Sequence, residues 1–207
     1  MNRRDFIAGG LAGVVLAPAW AAGATILVLG DSLSAEYGLT RGSGWVALLE
    51  KKLAAEKIDA RVVNASISGD TTSGGRARLP ALLAEHKPTH LVIELGGNDA
   101  LRGGALQATE DNLSQMTQAA QKVGAKVLLV GMQVPPNYGT AYASRFAGLF
   151  PKVASRHGAA LVPFLLTRVA DVPEAASLFQ ADRIHPRAEA QPQMLANVWP
   201  ELRKLLK

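Results

Sequence analysis

Ser32 stands just beyond an apolar run, Thr25 to Leu29, within Gly30-Asp31-Ser32-Leu33-Ser34. A serine hydroxyl at the end of a buried strand becomes a nucleophile when a base takes its proton and hydrogen-bond donors stabilise the oxyanion that forms. Taken alone, the position reads at least as well as the N-cap of a following helix. A distant segment supplies the base. Of the four histidines, only His185 lies in a polar loop with a carboxylate at short spacing, in Asp182-Arg183-Ile184-His185-Pro186. An aspartate three residues ahead can fold back onto one ring N–H and leave the other nitrogen free as a general base. His86, before a Lys-Pro turn, His90, at the start of an apolar run, and His157, before Gly158, read instead as capping or solvated residues.

Two further segments offer donors for an oxyanion. Gly69 can present a backbone N–H with no side chain in the way, and Asn98 can turn its amide N–H₂ out of the glycine-flanked Gly96-Gly97-Asn98-Asp99. The Ser32 N–H would be a third. Asn98 is also an ordinary turn former, and Asp31 and Asp99 read as local turn anchors rather than as acids. No Gly-x-Ser-x-Gly occurs, so the usual α/β-hydrolase elbow does not apply. No histidine pair has ligand spacing and cysteine is absent, which argues against a metal site or a thiol nucleophile.

The elements that must position these residues follow from apolar patterning. Runs at Thr25 to Leu29, Arg61 to Asn64, His90 to Leu95, Lys126 to Val130 and Ala160 to Phe164 predict five buried strands. Trp45, Leu48, Leu49 and Leu53 mark one helix face; Leu113, Met116, Ala120 and Val123 mark another, closed by Gly124; a last helix, opened by Pro186, carries Leu195, Val198, Trp199, Leu202 and Leu206. Strands alternating with helices predict a three-layer α/β domain with a five-stranded parallel sheet. Ligands bind beyond the carboxyl ends of such strands, where strands one to three run into the Gly, Ser, Asn and Asp segments above. Leu101, after the third strand, and Met132, Val134, Pro135 and Tyr138, after the fourth, either tuck under their loops or line a groove for an acyl chain.

At 207 residues, with 48% hydrophobic and 19% charged residues, the chain suits one compact domain. Its charges are dispersed, and with three Tyr, three Trp and five Phe there is little to stack on bases, so the net charge of +5 does not indicate nucleic-acid binding. Arg3 and Arg4, an uncharged run from Phe6 to Ala17, Pro18 and then Ala19-Trp20-Ala21 have the order of a secretory signal peptide, with cleavage expected after Ala21. Asn2-Arg3-Arg4-Asp5-Phe6-Ile7 also resembles a twin-arginine signal. The run is rich in Gly and Ala and broken by Pro18, a poor spanning helix, so no stable membrane anchor is expected. Residues 22–207 then form an exported domain, periplasmic or secreted, and a monomer is expected.

Gly30-Asp31-Ser32-Leu33, Gly69, Gly97-Asn98-Asp99 and Asp182-x-x-His185, in that order, resemble the four blocks of the SGNH (GDSL) hydrolase family. The longer stretches 30–35, 64–70, 77–83 and 94–99 are similar to its periplasmic acyl-thioesterase and lysophospholipase branch. The resemblance implies a flavodoxin-like SGNH fold, no cofactor, and hydrolysis of esters and thioesters of small-molecule acyl substrates, including aryl esters, acyl-CoA and lysophospholipids. It carries over Ser32 as nucleophile, Asp182 and His185 as partners, and Gly69 and Asn98 as oxyanion donors. Glu36 and Arg183 depart from the small or neutral residues expected beside these blocks, which bears on substrate preference. Two other readings stay open: a carbohydrate deacetylase using the same site, and a binding module without catalysis.

Overall fold

A computed structural model describes residues 23–207, so the expected leader and its cleavage after Ala21 lie outside the described residues. Five parallel strands, β1 (Ala24–Gly30), β2 (Ala60–Asn64), β3 (His90–Glu94), β4 (Lys126–Val130) and β5 (Ala160–Val162), form one sheet in the order β2-β1-β3-β4-β5. The two central strands are buried on both faces: Ile26 to Leu29 and Leu91 to Ile93 are fully inaccessible, which is why they read as unbroken apolar runs. Helices α1 (Trp45–Ala55) and α7 (Gln191–Leu205) pack together on one side; α2 (Thr72–His86), α4 (Leu106–Lys122) and α5 (Thr140–His157) pack together on the other. Short helices α3 (Gly97–Leu101) and α6 (Ala175–Leu178) lie in connections. No helix among the described residues is long and apolar enough to cross a membrane.

The chain leaves β1 outward to β2 and then crosses back to β3, so β1 and β3 form the switch point where the connections diverge. Their register pairs Gly30 with Glu94, which sets the segments after the two strands side by side. Gly30 itself sits where a Cβ would come within 2.8 Å of Ser34 and Ser66, so only glycine lets the turn close this tightly.

Several sequence expectations are corrected. β5 stops at Val162 because Pro163 has no N–H for the ladder, although Phe164 is buried beyond it. Pro186 does not open the last helix: it is bridged to Phe179, and the helix starts at Gln191 with Pro192 in its first turn. Val123 caps α4 and is exposed, with Gly124 left-handed behind it as expected. Trp199 is only half-buried, under the Lys52 ammonium 4.9 Å from its ring.

Candidate functional site

The turn after β1 delivers Ser32, half-buried, to the carboxyl edge of the sheet. The His185 Nε2 lies 2.9 Å from Ser32 Oγ, and Nδ1 lies 2.7 Å from Asp182 Oδ2. The other carboxylate oxygen, Oδ1, accepts the Ile184 N–H at 2.9 Å and the His185 N–H at 3.0 Å. These bonds are what the three-residue spacing allows: the aspartate folds back on the backbone and on the ring at once. The backbone N–H of His185, its ring and the Ile184 N–H hold the Asp182 carboxyl down to about 2, so it stays ionised beside the imidazole.

The loop carrying this pair is fastened from both ends. Phe179 and Pro186 form an antiparallel bridge, Gln180 N–H donates to the His185 carbonyl at 2.8 Å, and Arg187 N–H donates to Leu178 O at 2.7 Å. Gln180 Nε2 also donates to Tyr37 O, and the Tyr37 ring lies over His185 with centroids 4.2 Å apart. Tyr37 escaped the sequence reading; only its place in the turn after Ser32 hinted at a contact with the imidazole. Of the two departures from the family blocks, Glu36 turns back to accept the Gly42 and Gly44 N–H groups, and so shapes the entry to α1. Arg183 occupies a left-handed turn position, φ 59°, between the aspartate and the histidine.

Gly69 and Asn98 are brought to the same edge. Gly69 has φ 79°, a conformation that favours glycine, and among the described residues neither its N–H nor that of Ser32 donates to any group. Arg78 clamps the segments behind them, bonding Asp70 Oδ2 at 2.8 Å, the Gly30 carbonyl at 3.4 Å and the Ala65 carbonyl. Asn98 lies in the first turn of α3, reached through Gly96 at φ 120°. Its Nδ2 donates to Asp31 Oδ2 at 3.0 Å, and because a carboxylate only accepts, this fixes which face of the amide is nitrogen. Asp99, expected to anchor its own turn, instead reaches a distant element: its carboxylate accepts the Thr72 N–H and hydroxyl at 2.9 and 2.5 Å and so fixes the start of α2.

Asp31 does more than close its own turn. It is 3% exposed and accepts the Leu33 N–H as well as the Asn98 amide. Burial pushes its carboxyl up to about 6 against the pull of these two donors. An acid with a raised folded pKa keeps a proton that the unfolded chain has already released. Its contribution to stability therefore falls as pH rises from the ordinary 3.8 towards about 6, and the loss is complete above that. Asp31→Asn is expected to flatten this decline by on the order of 3 kcal/mol, read from urea unfolding at several pH values. An unchanged pH dependence would mean that the charge is not desolvated.

Around this edge the apolar loop residues divide. Met132 and Val134 are 7% and 9% exposed and pack into the core, whereas Leu101, Pro135 and Tyr138 are exposed. The other histidines stay out of the site: His90 bonds Thr89 Oγ1 and Leu205 O, His157 bonds Ser114 Oγ, and His86 sits beside Glu85.

A serine, an imidazole and a carboxylate in one hydrogen-bonded line, with free N–H groups alongside, can add a hydroxyl to an acyl carbonyl. Known proteins agree with that chemistry. Residues 28–191 match the GDSL-like Lipase/Acylhydrolase family. The chain is 54% identical over 203 residues to esterase TesA of Pseudomonas aeruginosa, covering 98% of this chain and all of the relative. It is 45% identical over 172 residues to the thioesterase 1/protease 1/lysophospholipase L1 of Escherichia coli, covering 83% of this chain and 80% of that one. The crystal structure of a TesA superposes with a TM-score of 0.84 at 57% identity, covering 87% of this chain and 99% of that one. The chain thus belongs to the GDSL-like (SGNH) lipase/acylhydrolase family and is an SGNH esterase.

Proposed function

We propose that Ser32 is the nucleophile of this esterase, His185 its general base and then acid, and Asp182 the residue that orients the ring and balances its charge. The Ser32 and Gly69 N–H groups and the Asn98 amide are the oxyanion donors. The single observation that carries this reading is the unbroken hydrogen-bonded line from Asp182 through His185 to Ser32. Ser32 Oγ adds to the acyl carbonyl carbon while Nε2 takes its proton. The same proton passes to the departing alcohol or thiol, leaving an acyl-serine. Water then repeats the sequence and frees the acid and the serine. The cycle balances with water alone and calls for no metal or organic cofactor.

The substrates are small-molecule carboxylic esters and thioesters of acyl groups, which fits relatives named as an esterase and as a thioesterase and lysophospholipase. The protein works as a monomer, in the periplasm or secreted, after residues 1–21 have directed export and been removed. Labelling by a fluorophosphonate tests the assignment: one equivalent should attach to Ser32, and attachment elsewhere would overturn it.

The acyl chain lies along Leu101, Pro135 and Tyr138, backed by the buried Met132 and Val134, with the left-handed Gly103 at the bend of the first loop. Each buried methylene contributes up to about 0.8 kcal/mol, so kcat/KM should climb with acyl length until the groove is full. Leu101→Ala or Tyr138→Ala is expected to flatten that climb across acetyl, octanoyl and palmitoyl p-nitrophenyl esters while sparing acetyl. Equal losses at all three lengths would assign these side chains to loop packing. A rate that falls with acyl length in the unmodified enzyme would favour a deacetylase.

A further inference from the structure

Glu94 ends the central strand β3 with a carboxyl group that is fully buried and takes no part in the mechanism above. Its Oε2 accepts the Ser34 hydroxyl at 2.7 Å and, at 3.4 Å, the Asp31 N–H. The Ser34 oxygen in turn accepts the indole N–H of Trp45 at 3.2 Å. Oε1 finds no donor among the described residues, though it is sealed from water. A fully buried carboxylate with an orphan oxygen beside a second carboxylate is electrostatically costly, and the cost vanishes when one of the two is a neutral acid. The Asp31 and Glu94 side chains are within hydrogen-bonding reach of each other, an acceptor–acceptor clash unless a proton lies between them. Burial and the Asp31 charge both hold the proton on Glu94 well above the usual carboxylate range; burial also raises Asp31, to about 6, but its own donors and His185 oppose that rise, so the proton stays on Glu94. The titratable groups facing the pair are His185 and Asp70.

We propose that Glu94 is a positioning residue for ester hydrolysis: as a neutral acid it donates its proton to Asp31, whose carboxylate holds the Asn98 amide so that its second N–H is aimed at the oxyanion. The line Trp45, Ser34, Glu94, Asp31, Asn98 then has a donor for every acceptor. It links the turn after β1, the end of β3 and the first turn of α3, the segments that carry the Ser32 and Asn98 donors. A fixed donor costs no reorganisation when charge develops on the substrate, so the consequence falls on kcat. The proposal rests on Asn98 being an oxyanion donor, and Asn98→Ala is the control for that premise.

The test compares Glu94→Gln with Glu94→Ala on a short p-nitrophenyl ester. Glutamine keeps a neutral N–H donor towards Asp31 and an acceptor for Ser34, so kcat should stay within about threefold of the parent; alanine should lower kcat about thirtyfold or more with KM little changed. Infrared difference spectra of the parent against Glu94→Gln at pH 8 should contain the C=O band of a protonated carboxylic acid, a readout that survives even if the alanine variant does not fold. Glu94→Gln as damaged as Glu94→Ala, a carboxylate band in place of the acid band, or an alanine variant with parental kcat would each overturn it. If Asn98→Ala is itself silent, the oxyanion assignment fails instead.

Discussion

Alanine at Ser32 is expected to lower kcat/KM by about ten-thousand-fold or more while leaving the fold intact, and alanine at His185 to do the same. Ser32 is half-buried at the end of β1 and, among the described residues, bonds through its hydroxyl only to His185, so the deletion removes chemistry without opening the core. Groups that act as one unit are not additive, and the double variant should be no slower than either single one. Asp182→Asn should be milder. Asp182 sits at the surface, where water partly replaces its charge, and the Ser32–His185 pair remains in place. Initial rates on p-nitrophenyl butyrate, with circular dichroism as the folding control, provide the measurement. Near-parental turnover by Ser32→Ala, in a preparation free of other esterases, would remove Ser32 from the mechanism.

The second large effect is at Asn98. Asn98→Ala is expected to cost about 3 kcal/mol of transition-state stabilisation, roughly a hundredfold in kcat, with KM nearly unchanged. The effect is differential: an amide held at 3.0 Å by Asp31 is aimed before substrate arrives, and it bonds a full negative charge more strongly than a neutral carbonyl. A loss confined to KM would make Asn98 a substrate-binding residue.

The strands were legible because a parallel strand covered on both faces must be apolar throughout, as β1 and β3 are. Helix α2 was not, since Gly74, Gly75 and Pro80 dilute its apolar spacing and only Leu79 and Leu83 among its large side chains are buried. Its start comes from Thr71, whose side chain accepts the Gly74 N–H, and from packing on α4. Helix α5, by contrast, carries Phe146, Leu149, Phe150 and Val153 at helical spacing, a signal that was there to be read. At the site, Asp182 and His185 could be paired because they are close in sequence. The contacts of Glu94 with Asp31, of Tyr37 with His185 and of Arg78 with Gly30 could not, because they depend on the register of β1 against β3 and on loops 48 to 148 residues apart.

The fastening of the loop between Phe179 and Arg187 bears on how such an enzyme loses activity. Asp182 and His185 share that one handle, and the bonds within it, from Asp182 to two N–H groups and to the ring, do not involve the rest of the protein. A fluctuation that lifts the handle therefore carries the Asp182 carboxylate and the His185 imidazole away together, still paired, while Ser32 stays behind on a strand end rooted in the core. Inactivation by heat or mild denaturant can then begin as an undocking of nine residues, well below the energy needed to break the sheet. Residual activity would track the docked fraction of that handle, and refolding of the core would not enter into its recovery.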